Sequence, residues 1–288
     1  MRIWFDSFWG LFDKYDNFFT YILSKKYKLE ISPDNADIIF TDSPNFKKPY
    51  PCKAIYFSGE PFFSINQCDV AITTFSVDDP RFFRVPLYSL FAYELLKNKY
   101  IDKLDSICVK NYSLKTIEEK DNLCAYISQG KGGECPREEL INYCSSYLDI
   151  HCAGKHLNNC QLIPGEPGTP IGSINKIEFL KKYKFCFAIE NNDSFNGYTG
   201  YTSEKIYEPM VANCIPIYWG NENIKEEFNE NSFLNIKDFK SYDELIERII
   251  LINENKNLYI DYLMQPYIKD NLFLNIDYLV SLFDEIID

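Results

Sequence analysis

Alternation between short apolar runs and amphipathic stretches constrains this chain more than any other feature. Strand-like runs at residues 2–6, 36–40, 53–57 and 69–75 are interleaved with helical patterns at 16–26 and 90–97. This order predicts an open α/β sheet. Residues 110–122 are charge-rich and poorly periodic, and they read as a linker. A second α/β unit follows, with strands expected at 123–128, 149–153, 185–189 and 214–218. Helices are expected between them near 137–147, 175–183 and 203–212, the second capped by Ser173. From Ser241 onward three helical segments follow, and the last, near 276–287, is expected to fold back on the first domain. The predicted architecture is two doubly wound domains, residues 1–116 and 117–268, facing each other across a cleft, with 269–288 as the returning helix. Ligands in such sheets sit at the carboxyl ends of the strands.

A length of 288 residues with 46% hydrophobic and 17% aromatic side chains supports two packed cores. The net charge of −12 disfavours nucleic acid or an anionic membrane as the principal partner, since both are bound through surplus Lys and Arg. A phosphate-bearing ligand therefore requires a local concentration of positive charge. Met1-Arg2-Ile3-Trp4-Phe5-Asp6 begins in strand pattern without a signal-like segment, and no run of eighteen apolar residues occurs, so a soluble cytoplasmic protein without a transmembrane segment is expected. Ten cysteines without a Cys-x-x-Cys read as reduced, mostly buried thiols. The sequon Asn192-Asp193-Ser194 lies where a glycan would obstruct the loop described next.

Residues 185–223 carry the most chemistry: FCFAIENNDSFNGYTGYTSEKIYEPMVANCIPIYWGNEN. The order is strand, glycine-bearing loop, helix, strand, turn. Gly197 and Gly200 permit close backbone approach, and a helix opening near Thr202 offers free amides to an anion. Lys205 falls in the first turn of that helix, where a cation opposes the helix dipole unless an anion is bound. By itself, Glu204-Lys205 reads equally as a solvated charge pair.

The succession Ile189-Glu190-Asn191-Asn192, Tyr201-Thr202-Ser203-Glu204-Lys205 and Pro216-Ile217-Tyr218-Trp219-Gly220 resembles the donor-binding signature of the α1,3/α1,4-fucosyltransferases, glycosyltransferase family ten. A weaker likeness extends from Trp4-Phe5-Asp6-Ser7-Phe8-Trp9 to Phe233-Leu234-Asn235-Ile236 and the helices beyond. The first signature begins with Ile189 where the family has Phe, and the loop 191–201 is long. Tyr198 thus competes with Tyr201 for one position, and Tyr201 keeps the spacing to Glu204 and Lys205.

The resemblance implies the GT-B fold, with two facing Rossmann-like domains and the first on the acceptor side. It also implies inverting transfer of L-fucose from GDP-fucose to an oligosaccharide hydroxyl, expected on GlcNAc or Glc of a lactosamine or lactose unit in α1,3 or α1,4 linkage. By resemblance, Lys205 and Arg137 hold the diphosphate, and Tyr201, Glu190 and Asn191 line the donor pocket. An Arg at a helix start is otherwise simply exposed. Glu60, after the strand-like run Ile55-Tyr56-Phe57-Ser58-Gly59, matches the family's general base; apart from the resemblance it reads as a surface turn carboxylate. Glu204 is left with two roles, holding the ribose hydroxyls or supporting positive charge on the fucose ring. Trp4, Phe5, Phe8, Trp9, Phe62 and Phe63 read as core, with stacking on acceptor sugars as the alternative.

The chain holds no Asp-x-Asp, and His151 and His156 lack zinc-site spacing, so no metal or other cofactor is expected to be required, a divalent metal being at most stimulatory. ATP-loop, hydrolase-elbow and dinucleotide-binding motifs are missing from the sequence. Two alternatives stand beside the fucosyltransferase expectation: the same fold with another GDP-sugar, and a carbohydrate-binding protein that has lost turnover.

Overall fold

The fold is that of a computed structural model, which describes residues 1–10, 12–59, 65, 67–108, 120–133, 135–166, 168–195, 197–268 and 270–288. Six strands build the first sheet: β1 (Arg2–Asp6), β2 (Glu30–Ile31), β3 (Ile38–Thr41), β4 (Lys53–Ser58), β5 (Val70–Thr73) and β6 (Phe82–Arg84). They run parallel in the order β2-β1-β3-β4-β5-β6. Strands β3 and β4 are buried on both faces, which explains why they read as continuous apolar runs and not as alternating ones. Helix α1 (Phe18–Leu23) starts at a capping box, in which Thr20 N donates to Asn17 Oδ1 at 3.0 Å and Asn17 N to Thr20 Oγ1 at 2.9 Å. Helix α2 (Leu87–Lys97) closes this unit.

The second sheet comprises β7 (Asn122–Tyr126), β8 (Ile150–Cys152), β9 (Tyr183–Ile189), β12 (Ile215–Trp219) and β13 (Leu234–Asn235); a small hairpin of β10 (Ser194–Phe195) and β11 (Tyr198–Thr199) stands apart. Its order, β13-β12-β9-β7-β8, is also parallel throughout. The crossovers carry α3 (Arg137–Cys144), α4 (Pro170–Leu180) and α5 (Glu204–Val211), followed by α6 (Ile224–Glu227), α7 (Tyr242–Glu254), α8 (Lys256–Met264) and α9 (Ile276–Ile287). Chain order reverses between β7 and β9, so the carboxyl ends of these two strands form the switch point where doubly wound sheets bind ligands.

Helix α4 begins earlier than the sequence pattern predicts. Thr169 is its cap, accepting from Gly172 N at 3.1 Å, and Pro170 occupies the first helical position. Ser173, expected as the cap, sits inside the helix and is buried. One cluster of buried apolar side chains runs from Phe5, Phe40 and Phe57 through Tyr88 and Leu95 to Ile177, Tyr207 and Met210, joining both sheets through α2, α4 and α5. Helix α9 packs Phe283 on Phe18 of α1, with Lys26 and Tyr27 both bonded to Asp284. Among the described residues, no helix is long and apolar enough to cross a membrane.

Candidate functional site

At the β7–β9 switch point lies a cavity of about 400 Å³. One wall is the backbone leaving β7, from Ile127 to Gly130; the loop before α4 supplies Ile163, Pro164 and Gly165. Helix α4 contributes Gly172, Ser173 and Lys176, and α5 contributes Glu204, Lys205 and Glu208. Arg137 and Asn191 close it at the strand ends, and Phe91 of α2 reaches in from the first domain. Its volume is in the range of sites for drug-sized and nucleotide ligands.

Arg137 opens α3 and is only 2% exposed. Its Nε and Nη2 donate to the carbonyl of Ile189 at 3.3 and 2.8 Å, Nη2 also to Asn191 Oδ1 at 2.6 Å, and Nη1 to the carbonyl of Gly130 at 3.3 Å. The guanidinium thus bridges the ends of the two switch-point strands. All these acceptors are neutral, and the positive charge stays at the cavity wall.

Lys205 stands across from it in the first turn of α5. Ser203 caps that helix, and the Lys205 ammonium lies 3.3 Å from Glu190 Oε2, 3.1 Å from Ser203 Oγ and 3.9 Å from Glu204 Oε1. Lys176 and Glu208, a pair that sequence reasoning missed, meet at 2.7 Å along the same wall. Burial acts to lower the Lys176 ammonium, but Glu208 and Glu204 reverse this and its pKa is raised. Burial also pushes the Glu208 carboxyl above its ordinary value, only partly offset by Lys176. For Glu204 burial pulls upward too, yet Lys205 and Lys176 outweigh it and hold the carboxyl below its ordinary value. The cavity therefore gathers three cations and two carboxylates in a protein of net charge −12.

The expected residues fall into three groups. Arg137, Lys205, Asn191 and Glu204 line the cavity together. Glu190 and Tyr201 do not: they lie behind its wall, 0% and 2% exposed. Successive residues leaving a strand point to opposite sides, so Asn191 turns to the cavity while Glu190 turns under α5. There its carboxylate accepts from Ser203 N at 2.8 Å and Ser203 Oγ at 2.6 Å, fixing the helix start. Gly220 makes room for it, because a Cβ there would sit 2.5 Å from Glu190 Cγ and 2.6 Å from Tyr218 Oη. Tyr201 stacks on Phe75 of the first domain, centroids 5.5 Å apart. Glu60, with Phe62 and Phe63, lies outside the described residues. His151 and His156 are not at the cavity; each bonds a tyrosine, Tyr183 at 2.8 Å and Tyr126 at 2.9 Å.

The profile "Glycosyltransferase family 10 (fucosyltransferase) C-term" matches residues 117–265, the whole of the second sheet and the cavity walls built on it. The chain belongs to glycosyltransferase family 10. A second profile, for the N-terminal domain of the α-(1,3)-fucosyltransferase FucT, matches residues 3–91 of this family-10 chain. It is 27% identical to Alpha-(1,3)-fucosyltransferase FucT of Helicobacter pylori over 85% of its own length and 55% of that protein. Identity to Alpha-(1,3)-fucosyltransferase B of Drosophila melanogaster is 32%, over 44% of this chain and 28% of that one. The family-10 chain thus spans about half or less of the length of these relatives. Crystal structures of an α1,3-fucosyltransferase with GDP and with GDP-fucose superpose with TM-scores of 0.75 and 0.74 at 23% identity, over 99% and 100% of this chain and 89% and 90% of theirs. The fold is of GT-B type, two facing Rossmann-like domains.

Proposed function

We propose that the chain transfers L-fucose from GDP-fucose to an oligosaccharide hydroxyl with inversion at the anomeric carbon. The supporting observation is the cavity at the β7–β9 switch point, where Arg137 and Lys205 face a space open to an anion. GDP departs with added negative charge, and a guanidinium held by neutral carbonyls together with an ammonium at a helix start can stabilise it. Glu204, held ionised by Lys205 and Lys176, takes one of two roles: accepting from ribose hydroxyls or supporting charge on the sugar ring. Glu60 is assigned as the base from the family resemblance of its sequence context, taking the proton of the attacking acceptor hydroxyl. No metal is assigned a role, and the expected acceptor is GlcNAc or Glc in a lactosamine or lactose unit.

The test is incubation of the purified chain with GDP-fucose and lactose-type acceptors in EDTA, reading GDP and fucosylated product by mass spectrometry. Product supports donor, acceptor class and metal independence together. GDP binding without product points to another sugar or acceptor, and no GDP binding overturns the donor assignment. Lys205→Ala should weaken GDP binding about tenfold or more, the scale of one charge-assisted contact. Glu60→Gln should abolish transfer and leave GDP affinity nearly unchanged; normal turnover by that variant removes Glu60 as the base.

A further inference from the structure

The four residues leading into α5 are each held by the first domain. Ser76 N donates to the carbonyl of Thr199 at 2.8 Å, and Leu87 N to that of Thr202 at 3.1 Å. Between them Arg84 of β6 donates twice to the carbonyl of Gly200, from Nε at 3.0 Å and Nη2 at 2.5 Å, while the Tyr201 ring stacks on Phe75. Gly200 has a φ of +99°, and a Cβ there would stand 2.8 Å from Arg84 Nε, so the site requires glycine for both conformation and space. The next three residues are Ser203, Glu204 and Lys205, the helix cap and two cavity groups.

Arg84 is itself anchored from behind. Its Nη2 also meets Glu227 Oε1 at 2.8 Å, in a pair only 14% and 9% exposed. Tyr88 donates to Glu227 Oε2 at 2.6 Å, and Asn221 Nδ2 donates to both Glu227 Oε1 and Thr202 Oγ1 at 3.0 Å. Asn271 Nδ2 reaches Tyr88 Oη and the Glu227 carbonyl at 3.0 Å. Arg84 is not a cavity residue, but it ties Gly200 to Glu227: its Nη2 meets both, and its Nε adds a second bond to the Gly200 carbonyl that fixes the guanidinium plane, which an ammonium lacks.

We propose that Arg84 is a positioning residue for the donor. The first domain, through the Gly200 carbonyl, sets where α5 begins and so where Lys205 and Glu204 stand, and donor affinity depends on that domain being docked. This inference rests on the assignment of the cavity as the donor site. It makes the donor site incomplete without the acceptor-side domain, even though nearly all of the cavity wall comes from the other one.

The experiment compares Arg84→Lys, Arg84→Gln and Asn271→Ala in the full chain. GDP affinity is measured by calorimetry, global stability by urea unfolding, and amide exchange at the Gly200–Lys205 stretch by mass spectrometry. Asn271→Ala loosens the same buried network without touching the lead-in to α5. Arg84→Gln should lower GDP affinity about tenfold and Arg84→Lys by less, and both should speed exchange across that stretch. At comparable loss of stability, Asn271→Ala should change GDP affinity less than about threefold, below one hydrogen bond's worth. In turnover, the Arg84 variants should raise donor KM and leave acceptor KM alone. Loss of GDP affinity in simple proportion to stability across all three variants overturns the proposal, as does an Arg84→Gln variant that binds GDP like the parent. Absence of GDP binding by the parent overturns the donor assignment, and this inference with it.

Discussion

Replacing Lys176 by Met strands a carboxylate that the fold has buried almost completely. Glu208 is 1% exposed and its Oε2 lies 2.7 Å from the Lys176 ammonium. At an effective dielectric of about 20 the Coulomb attraction at that separation is about 6 kcal/mol, and breaking a buried pair from one side costs a net of about 3–5 kcal/mol. The pH dependence follows from the two neighbouring carboxylates, one turn apart on α5. Glu208 has a folded pKa raised by burial, so its ionised form already costs stability once pH rises above the unfolded value and through the folded one. Removing Lys176 raises that pKa further. Glu204 has a folded pKa held low by Lys205 and Lys176, a contribution present above the unfolded value and lost on acidification; the variant loses part of it. Both effects make the deficit larger above neutrality than near the unfolded carboxylate pKa. Urea unfolding should therefore show Lys176→Met less stable by about 3–5 kcal/mol at pH ~8, shrinking by about 1 kcal/mol or more at pH ~5. The double variant Lys176→Met/Glu208→Leu should recover to within about 1 kcal/mol of the parent. A deficit below about 1 kcal/mol, or one that does not shrink on acidification, would refute the electrostatic account of this wall.

Two further outcomes follow from the site geometry. Gly220→Ala must displace Glu190 or Tyr218, since its Cβ would fall 2.5 and 2.6 Å from them, and should cost about 1–3 kcal/mol in urea unfolding. Its GDP affinity should also fall, because Glu190 carries both Ser203 and Lys205. Arg137→Lys keeps the charge but cannot reproduce the fork on Ile189, Asn191 and Gly130, so calorimetry should show GDP affinity reduced about tenfold or more despite the conserved charge.

Much of this was legible in the sequence, for identifiable reasons. Strands such as β4 and β9, buried on both faces, announce themselves as unbroken apolar runs, and their predicted limits lie within two residues of those observed. Strands Glu30–Ile31, Phe82–Arg84 and Leu234–Asn235 went unrecognised, being only two or three residues long at sheet edges, too short to show a period. The cap at Thr169 is signalled by Pro170 at the first helical position and not by the apolar period, which starts later. Of the cavity residues, Lys205, Asn191 and Glu204 lie in an ordered motif, whereas Arg137 stands out only by the likeness of its helix start to the family's upstream element. Lys176 and Glu208 sit in ordinary charged helix patterns, Asn-Lys-Ile-Glu and Tyr-Glu-Pro, and only the packing of α4 beside α5 turns them inward. Glu190 shares a motif with Asn191 but not a direction. Strand alternation could have separated them beforehand.

The charge arrangement connects composition to chemistry. A chain of net charge −12 repels an anion at long range, so attraction must come from groups whose charge is not already neutralised nearby. Of the three cavity cations, Lys176 is committed to Glu208 and Lys205 is shared with Glu190 and Glu204. Arg137 alone of the three is held by carbonyl and amide oxygens. Such dipoles fix a guanidinium in place without cancelling its charge. On the proposed donor assignment, Arg137 is the resident positive end of the site, and Lys205 would exchange part of its contact with Glu190 for a phosphate at the start of α5. Glu190 would keep its two hydrogen bonds from Ser203 in such an exchange. The buried carboxylate behind the wall holds both the cap of α5 and the Lys205 ammonium, so a motif residue that never reaches the cavity fixes one that lines it.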